Sequence, residues 1–179
     1  MSNKMKIGVI YGSTRLGRFC DKVAQWAVRQ VAKAGFEAEP IDPLELTDGN
    51  ELRRHIGACD GFVVVTPEYN HGYPAPLKSL IDSVGAEWQA KPVAFVSYGG
   101  VSGGLRAVEQ LRQVFAELHA MTIRDSVSFA GAWEQFDGDG ALIDPGRAER
   151  SMATMLGRLR WWAAALRTAR NAKPYESAA

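Results

Sequence analysis

The sequence predicts an α/β fold in which a parallel sheet of about five strands is covered by helices on both faces. Three observations carry that expectation. Short apolar runs alternate along the chain with apolar stripes at helical spacing, the pattern of strands joined by crossover helices. The runs are continuously apolar and β-branched rather than alternating, as strands buried on both faces are. Glycine or proline stands at most of the junctions, ending one element and starting the next.

The elements follow in order. Lys6 to Tyr11 reads as a central strand. Phe19, Val23, Ala27 and Val31 then share one helix face and Lys22, Gln25, Arg29 and Lys33 the other, with Gly35 as the stop. A second strand covers Phe36 to Ile41, and Pro43 to Ala58 reads as a loop plus a short helix. The third strand is Gly61 to Thr66, followed by the stripe Leu77, Leu80, Ile81 and Val84, which Pro74 and Pro76 start. The fourth strand is Pro92 to Ser97, and Leu105, Val108, Leu111, Phe115 and Leu118 mark the next helix. The fifth strand covers Thr122 to Phe129. Asp144-Pro145 supplies an N-cap and a first-turn proline for a last helix reaching about Ala169. Five strands in this length fit a flavodoxin-like three-layer α/β/α sandwich with order 2-1-3-4-5. One domain is expected over residues 1–179, with a frayed tail after about Asn171.

Composition narrows the function. The 179 residues carry 21 Lys+Arg against 20 Asp+Glu, a net charge of +1, so no global field favours nucleic acid or an anionic membrane. No apolar stretch approaches the roughly 20 residues that span a bilayer. Met1-Ser2-Asn3-Lys4-Met5 leads straight into a strand without a signal-peptide core, which predicts a cytoplasmic protein. Cys20 and Cys59, far apart, give neither a disulfide framework nor a metal cluster.

In a doubly wound sheet the turns after the first, third and fourth strands meet at the carboxyl edge, where such folds place ligands. Here all three are unusual. The first, Gly12-Ser13-Thr14-Arg15-Leu16-Gly17-Arg18, leads into a helix N-terminus and offers hydroxyls, guanidinium groups and backbone N–H groups to an anion. It is a near miss to the nucleotide P-loop, with Arg18-Phe19 in place of Lys-Ser/Thr, and lacks the hydroxyl that holds magnesium. The second, Pro67-Glu68-Tyr69-Asn70-His71-Gly72, combines an aromatic ring, an amide and a glycine that lets backbone approach a flat ring. The third, Ser97-Tyr98-Gly99-Gly100-Val101-Ser102-Gly103-Gly104, is half glycine and presents N–H groups to an acceptor-rich edge.

Gly12-Ser13-Thr14-Arg15, then Pro67 to Lys78 with Ile81-Asp82, then the Ser97 to Arg106 loop, resemble the NADPH-dependent FMN reductase family, which includes quinone, azo and chromate reductases. The resemblance covers about Lys6 to Leu118 and implies non-covalent FMN on a flavodoxin-like fold, in a homodimer or homotetramer. It implies that Ser13, Thr14, Arg15 and Gly17 hold the FMN phosphate, with Arg18 standing where many members carry a serine. Pro67, Glu68, Tyr69, Asn70 and Gly72 would line the isoalloxazine, and Ser97, Gly99, Gly100 and Ser102 would meet its pyrimidine edge. The implied reaction is ping-pong: NADPH or NADH gives hydride to flavin N5, and a small-molecule acceptor (quinone, azo compound, chromate or free flavin) takes two electrons. The chemistry belongs to the flavin, so no catalytic side chain is nominated.

Other motifs in the chain carry competing readings. A flavin carrier without enzyme activity would suit a strongly acidic chain, and this one is near neutral. Gly100-Val101-Ser102-Gly103-Gly104 matches the G-x-S-x-G elbow of serine hydrolases. However, the only later histidine, His119, falls at the far end of the following helix, roughly 20 Å away. Asp137-Gly138-Asp139-Gly140 reads as a glycine turn rather than a calcium loop. Trp133 and Phe136 either cover the flavin or pack on the body. Cys20 near a helix start has either a lowered pKa or a buried place. His71 either faces substrate or solvent, and Trp161 is either an oligomer contact or simply exposed. The arginines of the last helix are expected to cover the rim of its buried face.

Overall fold

The computed structural model describes residues 4–178, so Met1, Ser2 and Asn3 of the opening segment lie outside the described residues. Five strands, β1 (Lys6–Tyr11), β2 (Glu37–Ile41), β3 (Gly61–Pro67), β4 (Pro92–Gly99) and β5 (Met121–Ala130), form one sheet of order β2-β1-β3-β4-β5. Every pairing is parallel. The helices are α1 (Cys20–Lys33), α2 (Gly49–Ala58), α3 (Ala75–Asp82), α4 (Leu105–Glu117) and α5 (Gly146–Ala172).

Burial explains both the order and the layers. All of β3 is buried, which suits its continuous apolar run and its central place. The edge strand β2 is largely half-exposed and contains Pro40, tolerable only at an edge. One face of the sheet packs Val9, Val63 and Val96 against Val23, Ala27 and Val31 of α1 and Met155 and Leu159 of α5. The other packs Ile10, Phe62 and Phe95 against α2, α3 and α4, with Trp88 edge-on to Phe62 at 4.8 Å and Phe115 at 5.4 Å.

Local signals set the boundaries. The Pro43 to Ala58 segment holds a ten-residue helix whose N-cap Asp48 accepts the Glu51 N–H at 2.8 Å. α5 starts at Gly146, but Pro145 is already helical (φ −77°, ψ −20°) and Asp144 Oδ1 lies 3.4 Å from the Gly146 N–H. Asp144-Pro145 therefore opens the helix, with a weak cap. Beyond Asn171 the chain forms a short turn, Tyr175–Ala178, whose Tyr175 Oη lies 2.9 Å from His119 Nδ1.

The arginines of α5 tie the helix to the rest of the molecule. Arg158 pairs with Asp125 at 2.6 Å, Arg160 lies 4.0 Å from the centre of the Phe36 ring, and Arg167 pairs with Asp60 at 3.3 Å. Trp161 on the same helix is exposed. No helix among the described residues is long and apolar enough to cross a membrane.

Candidate functional site

The three loops do meet at the carboxyl edge, and cross-links between them set the geometry. The first leaves β1 at Gly12, whose N–H donates to Val65 O at 2.8 Å. A side chain there would run into that same carbonyl oxygen, so only glycine lets the chain cross the end of β3. Ser13 Oγ, fully buried, lies 3.0 Å from Tyr69 Oη and joins the first loop to the second.

Arg18 braces the first loop from beneath. Its guanidinium donates to both carboxylate oxygens of Asp42, to Asp21 Oδ1 at 2.7 Å and to the Ser13 carbonyl at 2.6 Å. The Arg18 and Asp42 side chains are only 7% and 10% exposed. Burial pushes the Asp42 carboxyl up, but the Arg18 contact and the Leu44 N–H outweigh it and leave the group below the usual carboxylate range. Hydrogen bonding to Asp42 raises Arg18 in turn. Arg18 is thus engaged in an internal ion pair that shapes the loop.

The second loop is a tight turn. Tyr69 and Gly72 exchange backbone hydrogen bonds at 2.9 and 3.1 Å, and Asn70 and His71 between them have φ of 51° and 70°, the sign pattern of a type I′ turn. Asn and His are among the non-glycine residues most often found in that region. Gly72 closes the turn. It faces the Gln110 amide of α4 and lines neither of the cavities described below.

Glu68 links the second loop to the third. Its carboxylate, 4% exposed, accepts from Ser102 Oγ at 2.7 Å, from the Arg106 N–H at 3.1 Å and from Arg106 Nε at 2.5 Å. Burial raises its pKa, and these donors more than reverse that and hold it below the usual range. Arg106 Nη1 also lies 2.9 Å from His71 Nε2. Ser102 is therefore engaged by a carboxylate, and His119 is occupied with Tyr175, so the hydrolase constellation is not assembled. Ser97 is fully buried and donates to Gly103 O at 2.8 Å. Ser97 and Ser102 support the third loop from behind rather than line the cavities. Gly104, at φ 83°, would bring a side chain within 2.9 Å of Tyr98 N, so the loop closes only with glycine there.

Two adjoining cavities result. One, about 580 Å³, is lined by Ser13, Thr14, Arg15, Asn70, Pro74 and Pro76. The other, about 530 Å³, is lined by Leu16, Gly17, Arg18, Phe19, Pro67, Tyr98, Gly99, Gly100 and Trp133. Arg15, Glu68 and Tyr69 border both. In the first loop the N–H groups of Thr14, Leu16 and Gly17 donate to no acceptor among the described residues, which suits an anion. The second cavity is walled by bare backbone at Gly99 and Gly100, and Tyr98 Oη on its border is buried and meets no hydrogen-bond partner of good geometry among the described residues. An elongated ligand with an anionic end and a flat, polar-edged ring fits this donor set.

Sequence reasoning missed the cavity roles of Leu16, Phe19 and Tyr98, and the Asp42 that neutralises Arg18. The first three stand inside or beside the quoted loops and could have been found there, whereas Asp42 gives no local signal. Cys20 is buried and burial pushes its thiol up to about 11, so it is not an activated thiolate. Phe136 packs in the core at 5.0 Å from Phe129, whereas Trp133 stands 60% exposed at the cavity. Asp137 Oδ1 accepts the N–H groups of Asp139 and Ala141, making the acidic stretch an ordinary turn. No cluster of three or more metal-binding side chains occurs among the described residues.

Comparison with known proteins agrees with this geometry. The family model for NADPH-dependent FMN reductase matches residues 5–134. A NAD(P)H-dependent FMN reductase of Schizosaccharomyces pombe is 40% identical over 61% of this chain, an alignment spanning 64% of the yeast protein's length. A NAD(P)H:quinone oxidoreductase of Solanum tuberosum is 38% identical over 85% of this chain and 90% of its own. Among solved structures, a flavoenzyme NAD(P)H:(acceptor) oxidoreductase of Paracoccus denitrificans superposes with a TM-score of 0.70, covering 88% of this chain and 97% of its own, at 20% identity. That likeness extends to the fold, while the family model reaches through all three loops. The chain belongs to the NADPH-dependent FMN reductase family.

Proposed function

We propose that this protein is an FMN-dependent NAD(P)H oxidoreductase that reduces a small-molecule acceptor, a quinone foremost, by a ping-pong sequence. The observation that carries the reading is the pair of adjoining cavities that share Arg15, with the acceptor-free N–H of Thr14 on one, those of Leu16 and Gly17 on the other, and the bare backbone of Gly99 and Gly100 walling the second. When bound, FMN supplies the chemistry, accepting hydride from NAD(P)H and passing two electrons to the acceptor. Ser13, Thr14, Arg15 and Gly17 hold its phosphate, Arg15 with charge-assisted hydrogen bonds. Pro67, Glu68, Tyr69 and Asn70 position the ring, and Gly99 and Gly100 approach its pyrimidine edge with backbone alone. The Ser13–Tyr69 and Glu68–Ser102–Arg106 links keep these loops fixed before a ligand arrives, so orientation is built in rather than acquired on binding. No side chain is required to move a proton. The working form is a cytoplasmic homodimer or homotetramer of this single domain.

The test is kinetic. Protein reconstituted with FMN and desalted should oxidise NADPH when a quinone is supplied, with parallel double-reciprocal plots at several quinone concentrations. NADPH oxidation no faster than an equal amount of free FMN would remove the function. Intersecting plots would remove the ping-pong order alone.

A further inference from the structure

We propose that Trp133 is the specificity-determining residue of this site, its indole forming a stacking wall for a flat, fused-ring acceptor; the proposal rests on the reductase reading above. The mount is rigid. The Gly131 N–H lies within hydrogen-bonding distance of both Gly99 O (2.9 Å) and Gly100 O (3.1 Å), and Glu134 N donates back to Gly131 O at 3.0 Å. Gln135 Nε2 adds a bond to Ala130 O at 2.6 Å. These contacts clamp the turn after β5 onto the third loop, with Ala132 wholly buried beneath it.

From that mount Trp133 and Glu134 project outward, and Trp133 is the aromatic one. It is 60% exposed, while Phe136 three residues on is 4% exposed. Its ring edge comes 3.7 Å from where a side chain at Gly100 would begin, so the glycine is open space bounded by the indole. Leu16, fully exposed, borders the same cavity. Backbone thus forms one surface of the cavity, and an indole and a leucine stand at its margin. An indole turns about only two side-chain bonds and so has little rotamer freedom to lose on binding, and a flat aromatic partner is what it stacks on.

The surrounding charges favour the same class of acceptor. Arg18 is compensated by Asp42 and Asp21, and Glu68 by Arg106. Only Arg15 is without an ion-pair partner among the described residues bordering this cavity, and it also belongs to the neighbouring anion site. A small ionic acceptor gains little from such a wall, whereas a fused aromatic ring gains the stacking.

The test uses the FMN-loaded, oxidised protein and menadione as the probe, by equilibrium dialysis without NADPH. Trp133→Ala should weaken menadione binding about tenfold, and Trp133→Phe, which keeps a ring, by only about threefold. The ratio of kcat/KM for menadione to that for ferricyanide should fall in parallel, about tenfold in Trp133→Ala. Unchanged affinity and an unchanged ratio in Trp133→Ala would overturn the assignment. So would a Trp133→Ala protein that loses self-association in sedimentation while binding menadione as before, since the indole would then belong to a contact between copies. If the protein retains no FMN even after reconstitution, the reductase reading fails on its own. Dialysis of menadione against the protein as purified would still decide the part played by the indole.

Discussion

The two ends of the sheet are built from the same strands and solve opposite problems. At the amino edge, polar groups are paired off. Lys91, buried, donates to Ile56 O at 2.8 Å and Gly57 O at 2.9 Å, capping the carboxyl end of α2. Asp60 accepts the Lys6 N–H at 3.0 Å and pairs with Arg167 at 3.3 Å, while Arg170 binds the Ala90 carbonyl. At the carboxyl edge the charged groups are paired beneath and between the loops, and N–H groups on top are left without acceptors. One end spends its polar residues on closing the fold, the other on holding an open site in shape. The difference teaches that an unsatisfied donor is informative only where its neighbours are fully satisfied.

Breaking the brace under the first loop should have the largest effect. Arg18→Met leaves the buried Asp42 carboxylate without its partner, and a loss of about 3–5 kcal/mol in urea denaturation is expected. A change under 1 kcal/mol would mean that the pair contributes nothing and that Arg18 is available to a ligand. Arg15→Ala sharpens the contrast from above. Fluorescence titration should show FMN affinity falling roughly ten- to a hundredfold, the value of a charge-assisted hydrogen bond, with the urea midpoint unmoved.

At the other end, Lys91→Met strands two helix carbonyls, and about 1–2 kcal/mol of stability should go without any effect on FMN affinity. Burial pushes the Lys91 ammonium down to about 8 from an ordinary value of 10.5. Between those values the unfolded chain holds a proton that the folded chain has released, so folding gains stability as pH rises through that window. The stability gap between wild type and Lys91→Met should therefore widen from pH 8 to pH 10. A gap that stays constant would show that Lys91 is not buried as described.

The smallest effect is expected at Glu68→Gln, because Arg106 is half-exposed and its attraction is screened; roughly 0.5–1 kcal/mol is at stake. Since the folded pKa of Glu68 is depressed, that contribution is present above the unfolded pKa and disappears as pH falls through the folded one. Thermal melts of wild type and variant should converge in acid. A gap that persists at low pH would assign the effect to packing instead.

Local pattern carried most of the fold. Continuous apolar runs placed the strands, and parallel pairing with order 2-1-3-4-5 followed from their alternation with helices. The ten-residue α2 reads in sequence as only part of a mixed segment, because its buried stripe is just Leu52 and Ile56. The positions of the site loops were legible for the same reason as the strands: they are the junctions at one edge. What holds them was not. Arg18 meets Asp42 across 24 residues, Glu68 meets Arg106 across 38, and Lys91 meets Ile56 across 35. No periodicity connects such pairs, since the topology alone brings them together. For that reason the carboxylates that engage Arg18 and Ser102, Asp42 and Glu68, could not be read from the loops in which the two residues stand.

The most direct measurement is a pair of fluorescence titrations of the wild-type protein, one with FMN and one with riboflavin. The two share the ring and differ only in the phosphate. FMN is expected to bind with one-to-one stoichiometry and at least about tenfold more tightly than riboflavin, the least that the charge-assisted contacts of the first loop should give. Equal affinities, or no binding of either, would contradict the assignment of the carboxyl edge as a flavin phosphate and ring site.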